Sequence, residues 1–148
     1  MSNCTAIGRI AGQPVSAVFD DPRGVREQTV RGFGAACRVG DSRMLAALLA
    51  AHAVLVVDSD GRVDAPLEPT FGVASVTVHT LRLLGPESGL LSSAQSVNGE
   101  TALVFRRGEV VEAIACLNVL DGLVYAVWLT VNPYKLTHWN RRTEPVTE

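Results

Sequence analysis

The stretch that decides the fold is VNGETALVFRRGEVVEAIACLNVLDGLVYAVWLTVN, residues 97–132. Three dipeptides, Asn98-Gly99, Arg107-Gly108 and Asp121-Gly122, separate runs rich in valine, leucine, isoleucine and phenylalanine. Asn-Gly and Asp-Gly are strong hairpin signals because both central residues of such a turn need a positive φ. The pattern therefore predicts a meander of four antiparallel strands, at about residues 91–97, 100–106, 109–120 and 123–132.

The third predicted strand is about twice as long as an average strand of roughly 5 to 6 residues, so we expect it to coil or bulge. In its sequence, EVVEAIACLNVL (residues 109–120), both faces are mostly apolar. Helices can cover one of these faces, and the other also has to be shielded from water. We expect a second copy of the chain to cover it, which makes the protein a homodimer.

Two helices are predicted before the first strand. Asp20-Asp21-Pro22 supplies acidic caps and a proline suited to a first helical turn, and the apolar residues that follow recur at near-helical spacing. We therefore expect a helix over about residues 22–38. Gly40 ends it, and Asp41 or Ser42 begins a second helix. The buried stripe of that second helix is predicted to be Met44, Leu45, Leu48 and Leu49.

One strand and a third helix are predicted before the meander. The β-branched run AVLVVD, residues 53–58, predicts a strand that ends in the turn DSDGR, residues 58–62. In FGVASVTVHTLRLLGP, residues 71–86, valine and threonine favour a strand, but the length and the spacing of the apolar residues favour a helix. Helices followed by a curved antiparallel sheet make an α+β domain with the helices on one side of the sheet.

Composition limits the classes of function. The 148 residues suffice for one domain, and an apolar fraction of 47% with 19% charged residues excludes a disordered chain. A formal charge of -2 gives no field that would recruit nucleic acid, so we expect no direct nucleic-acid binding. No run reaches the roughly 18 apolar residues of a membrane helix, and the N-terminus lacks a secretion signal. We expect a cytoplasmic protein without membrane contact.

The sequence indicates neither a metal nor a cofactor. Cys4, Cys37 and Cys116 are odd in number, far apart and without CxxC spacing, so we expect buried thiols rather than a disulfide framework or a zinc site. Gly32-Phe33-Gly34 is too short for a dinucleotide fingerprint, and no GxSxG, HExxH or phosphate-loop motif is present. We therefore expect no metal site and no cofactor.

The order of elements resembles the nuclear transport factor 2-like fold, which includes SnoaL-like polyketide cyclases and ketosteroid isomerases, over about residues 22–140. The segment from Val97 to Leu136, with DSDGR upstream, is similar to the SnoaL-like domain appended to certain extracytoplasmic-function sigma factors. The last strand of that domain ends in an Asn-Pro-Asp-Lys-Leu motif, and Tyr134 stands here at the place of the aspartate.

The resemblance implies a cone-shaped α+β domain whose N-terminal helices pack on a strongly curved antiparallel sheet. We expect this domain at residues 21–140, between an N-terminal extension, 1–20, and a C-terminal tail, 141–148. It also implies a freestanding relative of a regulatory domain that, in the family, packs on the sigma domains and tunes their activity. The promoter-reading domains of such sigma factors do not fit within this chain.

Three functions stay open at this point. The first is a dimeric regulatory or ligand-binding domain without catalysis, which binds either a small hydrophobic ligand or a protein partner, a sigma factor or an RNA polymerase subunit. The second is an enzyme of the same fold, an isomerase, cyclase or hydrolase-like catalyst, with Asp58 or His79 as general base. The third is a dimeric scaffold. Asp58 would otherwise shape a turn, and His79 would otherwise be a partly exposed helix residue.

The resemblance implies a ligand pocket between the concave face of the sheet and the helices. The candidate ligand-binding residues are Asn118, Tyr125 and Trp128. An amide such as that of Asn118, within an apolar strand, costs stability unless it is hydrogen-bonded to a ligand or to the protein. Strict alternation would put Tyr125 and Trp128 on opposite faces of their strand, so only one of them would line the pocket, and we prefer Trp128.

The tail VNPYKLTHWN, residues 131–140, follows the last predicted strand. Pro133 has no amide hydrogen and restricts the residue before it, so the strand is expected to stop at Asn132. Tyr134, Leu136 and Trp139 would then fold back as apolar anchors, while Lys135 points outward. This segment is either a clip that covers the open edge of the sheet or a partner contact made by Asn132, Pro133, Tyr134, Lys135 and Leu136.

Overall fold

The computed structural model describes residues 22–59, 66, 68–97 and 99–143. In chain order the elements are α1 (Pro22–Val39), α2 (Ser42–Ala47), β1 (Leu49–Asp58), β2 (Thr70–Phe71), α3 (Val73–Leu84), a 3-10 turn (Pro86–Ser88), β3 (Leu91–Val97), β4 (Glu100–Arg107), β5 (Val110–Leu120), β6 (Leu123–Thr130) and α4 (Pro133–Thr143). The six strands form a single sheet in the order β2-β1-β6-β5-β4-β3. The predicted extension, residues 1–20, and most of the predicted turn after Asp58 lie outside the described residues.

The predicted α+β class is confirmed, because helices precede a curved sheet and pack on one of its faces. The four-stranded meander also forms as predicted, from β3 to β6. One pairing differs from the expectation of an antiparallel sheet, since β1 runs parallel to β6 and makes the sheet mixed. Turn residues predict the pairing of strands that follow one another along the chain. Strands β1 and β6 are distant in sequence, so no turn between them predicts their pairing.

The first helix begins and ends as predicted. The second begins as predicted but ends at Ala47, so Leu48 is its C-cap and Leu49 belongs to β1 rather than to a buried helical stripe. Gly40 ends α1 with a φ of 73°, and a Cβ built there would lie 2.9 Å from two ring carbons of Pro86, so only glycine fits this turn. Asp41 caps α2, because its Oδ1 accepts a hydrogen bond of 3.0 Å from the Met44 amide. The expected burial of Met44 is wrong, since α2 is only six residues long and this side chain is 38% exposed.

The long strand β5 bulges as predicted. Its register with β4 shifts between Phe105 and Arg106, and its register with β6 shifts between Asn118 and Val119. A bulge reverses which face the following side chains occupy. The face toward α1, α2 and α3 is filled by the main core, which includes Val30, Phe33, Leu45, Leu55, Val76, Leu84, Leu103, Phe105, Leu117, Val127 and Leu129.

The tail is a helix, not an extended clip. Strand β6 ends at Thr130 rather than Asn132, and α4 then packs on the sheet face opposite α1–α3, which we call the outer face. Leu136 and Trp139 are buried there, as expected of anchors. The expectation for Tyr134 is wrong, because the helix turns its side chain away and leaves it 71% exposed.

The cysteines differ from one another. Cys37 is a buried thiol of the main core, and burial raises its pKa to about 12. Cys116 is disulfide-bonded, so the expectation of a thiol is wrong for this residue. Cys4 lies outside the described residues. Within the described part of the chain, no helix is long and apolar enough to cross a membrane.

Candidate functional site

The Asn-Pro-Tyr-Lys-Leu segment joins the end of β1 to the start of α4. Asn132 caps α4, because its Oδ1 accepts a hydrogen bond of 3.0 Å from the Tyr134 amide, and its Nδ2 donates to Asp58 Oδ1 at 3.3 Å. Lys135 Nζ lies 2.6 Å from Asp58 Oδ2, so the lysine turns toward β1 instead of pointing freely outward. Pro133 stands at the first position of the helix, where its missing amide hydrogen costs nothing.

The five residues predicted to contact a partner differ in how far they are exposed. Asn132 and Leu136 are buried, and the side chains of Pro133, Tyr134 and Lys135 are exposed. Of the exposed three, Lys135 is held by its ion pair with Asp58, and Tyr134 is 71% exposed. Three of the five residues of the motif, Asn132, Lys135 and Leu136, therefore have structural contacts that explain their presence without any partner.

The two candidate bases lie on different elements, Asp58 on β1 and His79 on α3. Asp58 is the last residue of β1. Both of its carboxyl oxygens have a partner, Asn132 Nδ2 for Oδ1 and Lys135 Nζ for Oδ2. His79 lies on α3, half-buried, with its Nδ1 3.3 Å from Arg82 Nη2. Neither side chain lines either of the two cavities described below, where an apolar wall could hold a substrate beside a general base.

A cavity of about 370 Å³, which we call the outer groove, lies on the outer face between β1, β2, β5 and β6. The three predicted ligand-binding residues all line it: Asn118 from β5, and Tyr125 and Trp128 from β6. They therefore do not lie between the helices and the sheet, where the resemblance placed the pocket. The other lining residues are His52, Val54, Val56, Pro69, Phe71, Val119, Leu120 and Ala126.

Tyr125 and Trp128 share this groove because of the bulge near the end of β5. Asn118 pairs with Ala126, but Val119 pairs with Val124, so Tyr125 has no partner in the ladder. The extra residue changes the parity of the strand, and the prediction that only one of the two aromatic residues would line the pocket is wrong. A register shift of this kind leaves no mark in the alternation of the sequence.

A second cavity of about 480 Å³, which we call the end cavity, lies among the end of α3, the start of β5 and the start of α4. Arg107 and Glu112 lie at this cavity and bind one another through two contacts of 3.1 Å, while Arg107 Nη1 donates to the Ser88 carbonyl at 2.8 Å. A Cβ at Gly89 would lie 2.8 Å from that Nη1. The side chain of Asn140 is bound to the backbone of Val111 at both its oxygen and its nitrogen.

The polar side chains of the end cavity are thus already paired with protein groups. The Arg107 and Glu112 charges offset each other, and the Asn140 amide replaces the strand partner that β5 loses where β6 ends. The remaining lining is apolar, with Leu83, Leu84, Leu90, Val110, Val131 and Leu136 among its residues. The described part of this cavity holds no free pair of groups for acid-base chemistry.

Sequence reasoning missed His52 and Phe71 in the outer groove and Arg26 in α1. His52 has the same parity as Val54 and Val56 in β1, which was a readable signal. Arg26 lies one helical turn before the buried Val30, so its position was also informative. The two-residue strand that brings Phe71 to the groove had no comparable pattern, because it is too short.

Comparison with known proteins finds no matching family model and no matching curated protein. Solved structures do match. The extracytoplasmic-function sigma factor SigJ of Mycobacterium tuberculosis is 25% identical with a TM-score of 0.61, over 96% of this chain and 51% of SigJ. A candidate ketosteroid isomerase from Kribbella flavida is 16% identical with a TM-score of 0.53, over 73% of this chain and 78% of that one. An NTF2-like protein from Cytophaga hutchinsonii is 10% identical with a TM-score of 0.50, over 76% of this chain and 93% of that one.

These likenesses confirm the class of protein that the sequence predicts, an α+β domain with the nuclear transport factor 2-like, SnoaL-like cone fold. Within that class, the SigJ structure is similar to almost the whole of this chain, whereas the chain spans about half the length of SigJ. The resemblance to a sigma factor, stated first from the meander and the Asn-Pro-Tyr-Lys-Leu segment, is confirmed as a resemblance. A shared fold of this kind hosts many functions, so function has to be argued from sites.

Proposed function

We propose that this chain is a regulatory SnoaL-like domain that acts in sigma-factor-dependent transcription by binding a protein partner and performs no catalysis. The observation that carries the proposal is the likeness to SigJ over 96% of the chain, at the highest identity of the three structures named. The partner is a sigma factor or an RNA polymerase subunit, and the domain itself makes no contact with the promoter.

The contacts of the two candidate bases favour regulation over chemistry. Asp58 connects β1 to α4 through Lys135 and Asn132, so its role in the fold explains why an aspartate is present. His79 is half-buried on α3 beside Arg82. The alternative, an isomerase, cyclase or hydrolase-like enzyme with one of these two residues as base, requires a substrate site at residues that line neither cavity.

Tyr134 is the residue of the tail best placed to touch a partner. Its side chain is 71% exposed on α4, and exposed aromatic side chains are enriched among the residues that dominate protein interfaces. Lys135 is less useful as a probe because its replacement would also break the ion pair with Asp58. A change at Tyr134 should alter binding while it leaves the fold intact.

The test is a direct binding measurement between this chain and the extracytoplasmic-function sigma factors and core RNA polymerase of its source organism, each purified separately. We expect one of them to bind, and we expect Tyr134→Ser to weaken that binding at least about tenfold, which is typical of an aromatic interface residue. The matched control is Tyr125→Ser, which changes an exposed tyrosine in the outer groove and should leave the affinity unchanged.

Two results would contradict the proposal. One is the absence of binding to every sigma factor and to the polymerase at micromolar concentrations. The other is turnover of a small molecule that is lost in Asp58→Asn or His79→Gln while the melting temperature stays unchanged, which would support the enzyme alternative instead.

A further inference from the structure

The disulfide at Cys116 has a partner that follows from the number of cysteines. The chain has three cysteines, Cys4, Cys37 and Cys116. Cys116 is disulfide-bonded, whereas Cys37 is a free thiol. Cys4 is therefore the one cysteine of the chain that is left to close the bond with Cys116. Cys4 lies outside the described residues, so the pairing rests on this elimination alone.

The two described cysteines lie on opposite faces of the sheet. Cys37 belongs to the main core between the helices and the sheet. Side chains alternate along β5, so that Ala115 and Leu117 also point into the main core while Cys116 points to the outer face. We call the buried residues around Cys116 the outer cluster; they are Val97, Ala102, Val104, Val111, Ile114, Leu136 and Trp139. A bond at Cys116 therefore fastens another segment of the chain to the outer face, beside α4.

The chain between Cys4 and α1 is long enough to reach Cys116. The start of α1 lies at the turn between β5 and β6, because Thr29 Oγ1 is 3.5 Å from the Gly122 carbonyl oxygen and a Cβ at Gly122 would lie 3.7 Å from Val25 Cγ1. Gly122 follows Cys116 by 6 positions, which is about 20 Å along β5. Cys4 precedes the start of α1 by 18 positions, which span up to about 60 Å. The bond therefore requires no change in the described fold.

The surroundings of Cys116 suit a bond that opens while the protein stays folded. Cys116 is 9% exposed, the most of the buried residues in the outer cluster, whereas Cys37 is 1% exposed. A disulfide opens when a thiolate reaches one of its sulfurs, and this exposure gives such access. The reduced form fits the same place, because a free cysteine behaves as a small apolar residue and the outer cluster is apolar.

We propose that the Cys4–Cys116 disulfide is a redox-sensitive tether, which holds the N-terminal segment, residues 1–21, on the outer face and releases it on reduction. The bond forms by exchange with a small-molecule disulfide such as oxidised glutathione. One protein thiolate attacks that disulfide and displaces one thiol, and the second protein thiolate then attacks the mixed disulfide and displaces the other. The protein loses two hydrogen atoms and the small molecule gains them as two thiols. The tether needs no protein partner, so it is independent of the regulatory function proposed above.

Mass spectrometry of the unaltered chain tests the bond. After treatment with oxidised glutathione, unfolding in urea and alkylation with iodoacetamide, we expect one alkylated cysteine per chain, Cys37, and a digest that contains the Cys4 peptide linked to the Cys116 peptide. Treatment of the native protein with reduced glutathione before unfolding should remove the linked pair and give three alkylated cysteines. The gain of two thiols measures the opening of the tether.

Tryptophan fluorescence shows whether the bond opens within the folded protein. The chain has two tryptophans, and Trp139 belongs to the outer cluster while Trp128 packs against it. A disulfide quenches the fluorescence of a nearby indole more strongly than a thiol does. Reduced glutathione should therefore raise the emission of the unaltered chain while its circular dichroism stays unchanged. The same treatment should leave the emission of Cys4→Ser unchanged, because that variant has no bond to open.

Two variants separate the tether from the packing of the core. Cys4→Ser is used in preference to Cys116→Ser, because it removes the bond and leaves the side chains of the outer cluster intact. Cys37→Ala is the matched control, since it removes the cysteine on the other face of the sheet. It should form the linked pair and respond to reduced glutathione as the unaltered chain does. Circular dichroism establishes that each variant is folded.

Three outcomes would overturn the proposal. In the first, Cys4 and Cys116 both remain free thiols after treatment with oxidised glutathione. In the second, Cys116 is linked to a cysteine of a second copy, which gives a covalent dimer on a denaturing gel without reductant. In the third, reduced glutathione opens the bond only after the chain has been unfolded in urea, which would make the bond a permanent cross-link instead of a redox-sensitive tether.

Discussion

At the scale of single residues, Arg26 makes an unusual contact between a helix and the backbone of a sheet. Its Nη1 donates to the Leu117 carbonyl at 2.8 Å and its Nη2 to the Thr101 carbonyl at 3.1 Å. Leu117 and Thr101 lie just beyond the part of β4 and β5 that pairs, so the guanidinium satisfies two acceptors that the ladder leaves open. Burial lowers the pKa of Arg26, and Glu100 opposes that effect only in part.

We predict that Arg26→Ala lowers the free energy of unfolding by about 2 to 4 kcal/mol, because two strand carbonyls lose a charged donor. Urea denaturation followed by circular dichroism measures this change. Arg31→Ala is the control on the same helix, since its ion pair with Glu27 is exposed and should be worth less than about 0.5 kcal/mol. Equal effects of the two variants would show that the carbonyl contacts of Arg26 contribute nothing.

The thiol of Cys37 should be chemically inert in the folded protein. Its pKa is raised from 9.0 to about 12 by burial, and the thiolate is the reactive form. We predict no alkylation of Cys37 by iodoacetamide at pH 8 in the native state, and full alkylation in 6 to 8 M urea, each read by peptide mass spectrometry. Rapid native labelling of Cys37 would contradict its burial.

The same shift makes stability depend on pH. The unfolded thiol begins to ionise near pH 9 and the folded one near pH 12, so the unfolded state loses protons first and is favoured as pH rises between these values. Below pH 9 the Cys37 thiol is protonated in both the folded and the unfolded state, so its ionisation takes nothing from the free energy of unfolding. Cys37→Ala should remove this part of the alkaline loss of stability.

At the scale of elements, the last helix shows what the sequence could and could not reveal. Asn132 and Pro133 form a helix start, an N-cap followed by proline at the first position, and this signal was present. The same two residues also predict the end of a strand, because proline suits both places. The meander, by contrast, is predictable from the sequence. Asn98-Gly99 and Asp121-Gly122 each stand between two strands that follow one another along the chain, and such dipeptides are typical of hairpin turns.

The candidate site was predictable in its residues but not in its position. Asn118, Tyr125 and Trp128 were named from their chemistry, and all three line one cavity. The face on which they lie depends on the bulge between Asn118 and Val119. Strand alternation has a period of two, and the position of an inserted residue is set by packing across the sheet rather than by the strand's own sequence.

We predict that Asn132→Ala lowers the free energy of unfolding by about 1 to 2 kcal/mol, because α4 loses its cap and Asp58 loses a donor. The melting temperature and amide exchange in α4 measure the effect. Thr137→Ala in the same helix is the control, since its hydroxyl only bonds back to the Pro133 carbonyl and the residue is exposed. A stable Asn132→Ala variant with unchanged exchange would show that the cap does not hold this helix.

At the scale of the whole molecule, the outer face is shared between a helix and a groove. Leu136 and Trp139 cover the half built by β4 and β5, so a second copy of the chain is not needed there. Phe71 and Tyr125 stay exposed in the groove, and Leu91, Val110 and Leu123 are further strand residues whose apolar side chains stay exposed and could be covered by a second copy. A homodimer would therefore cover only the part of the outer face that α4 leaves exposed.

The homodimer stays a prediction, and light scattering of the intact chain measures it. We expect twice the mass of the 15.7 kDa chain. A mass of one chain at all concentrations tested would show that α4 alone gives the sheet enough cover.

The parallel pairing of β1 with β6 also affects how the protein is made. Asn132, which holds the end of β1 through Asp58, follows that residue by 74 positions, and β6 comes only shortly before it. On the ribosome, the apolar strand β1 therefore emerges long before its main partner exists, with an unpaired edge exposed to other chains. We therefore expect slow translation between β1 and β6 to raise the fraction of chains that aggregate, which sedimentation of the newly made protein would measure.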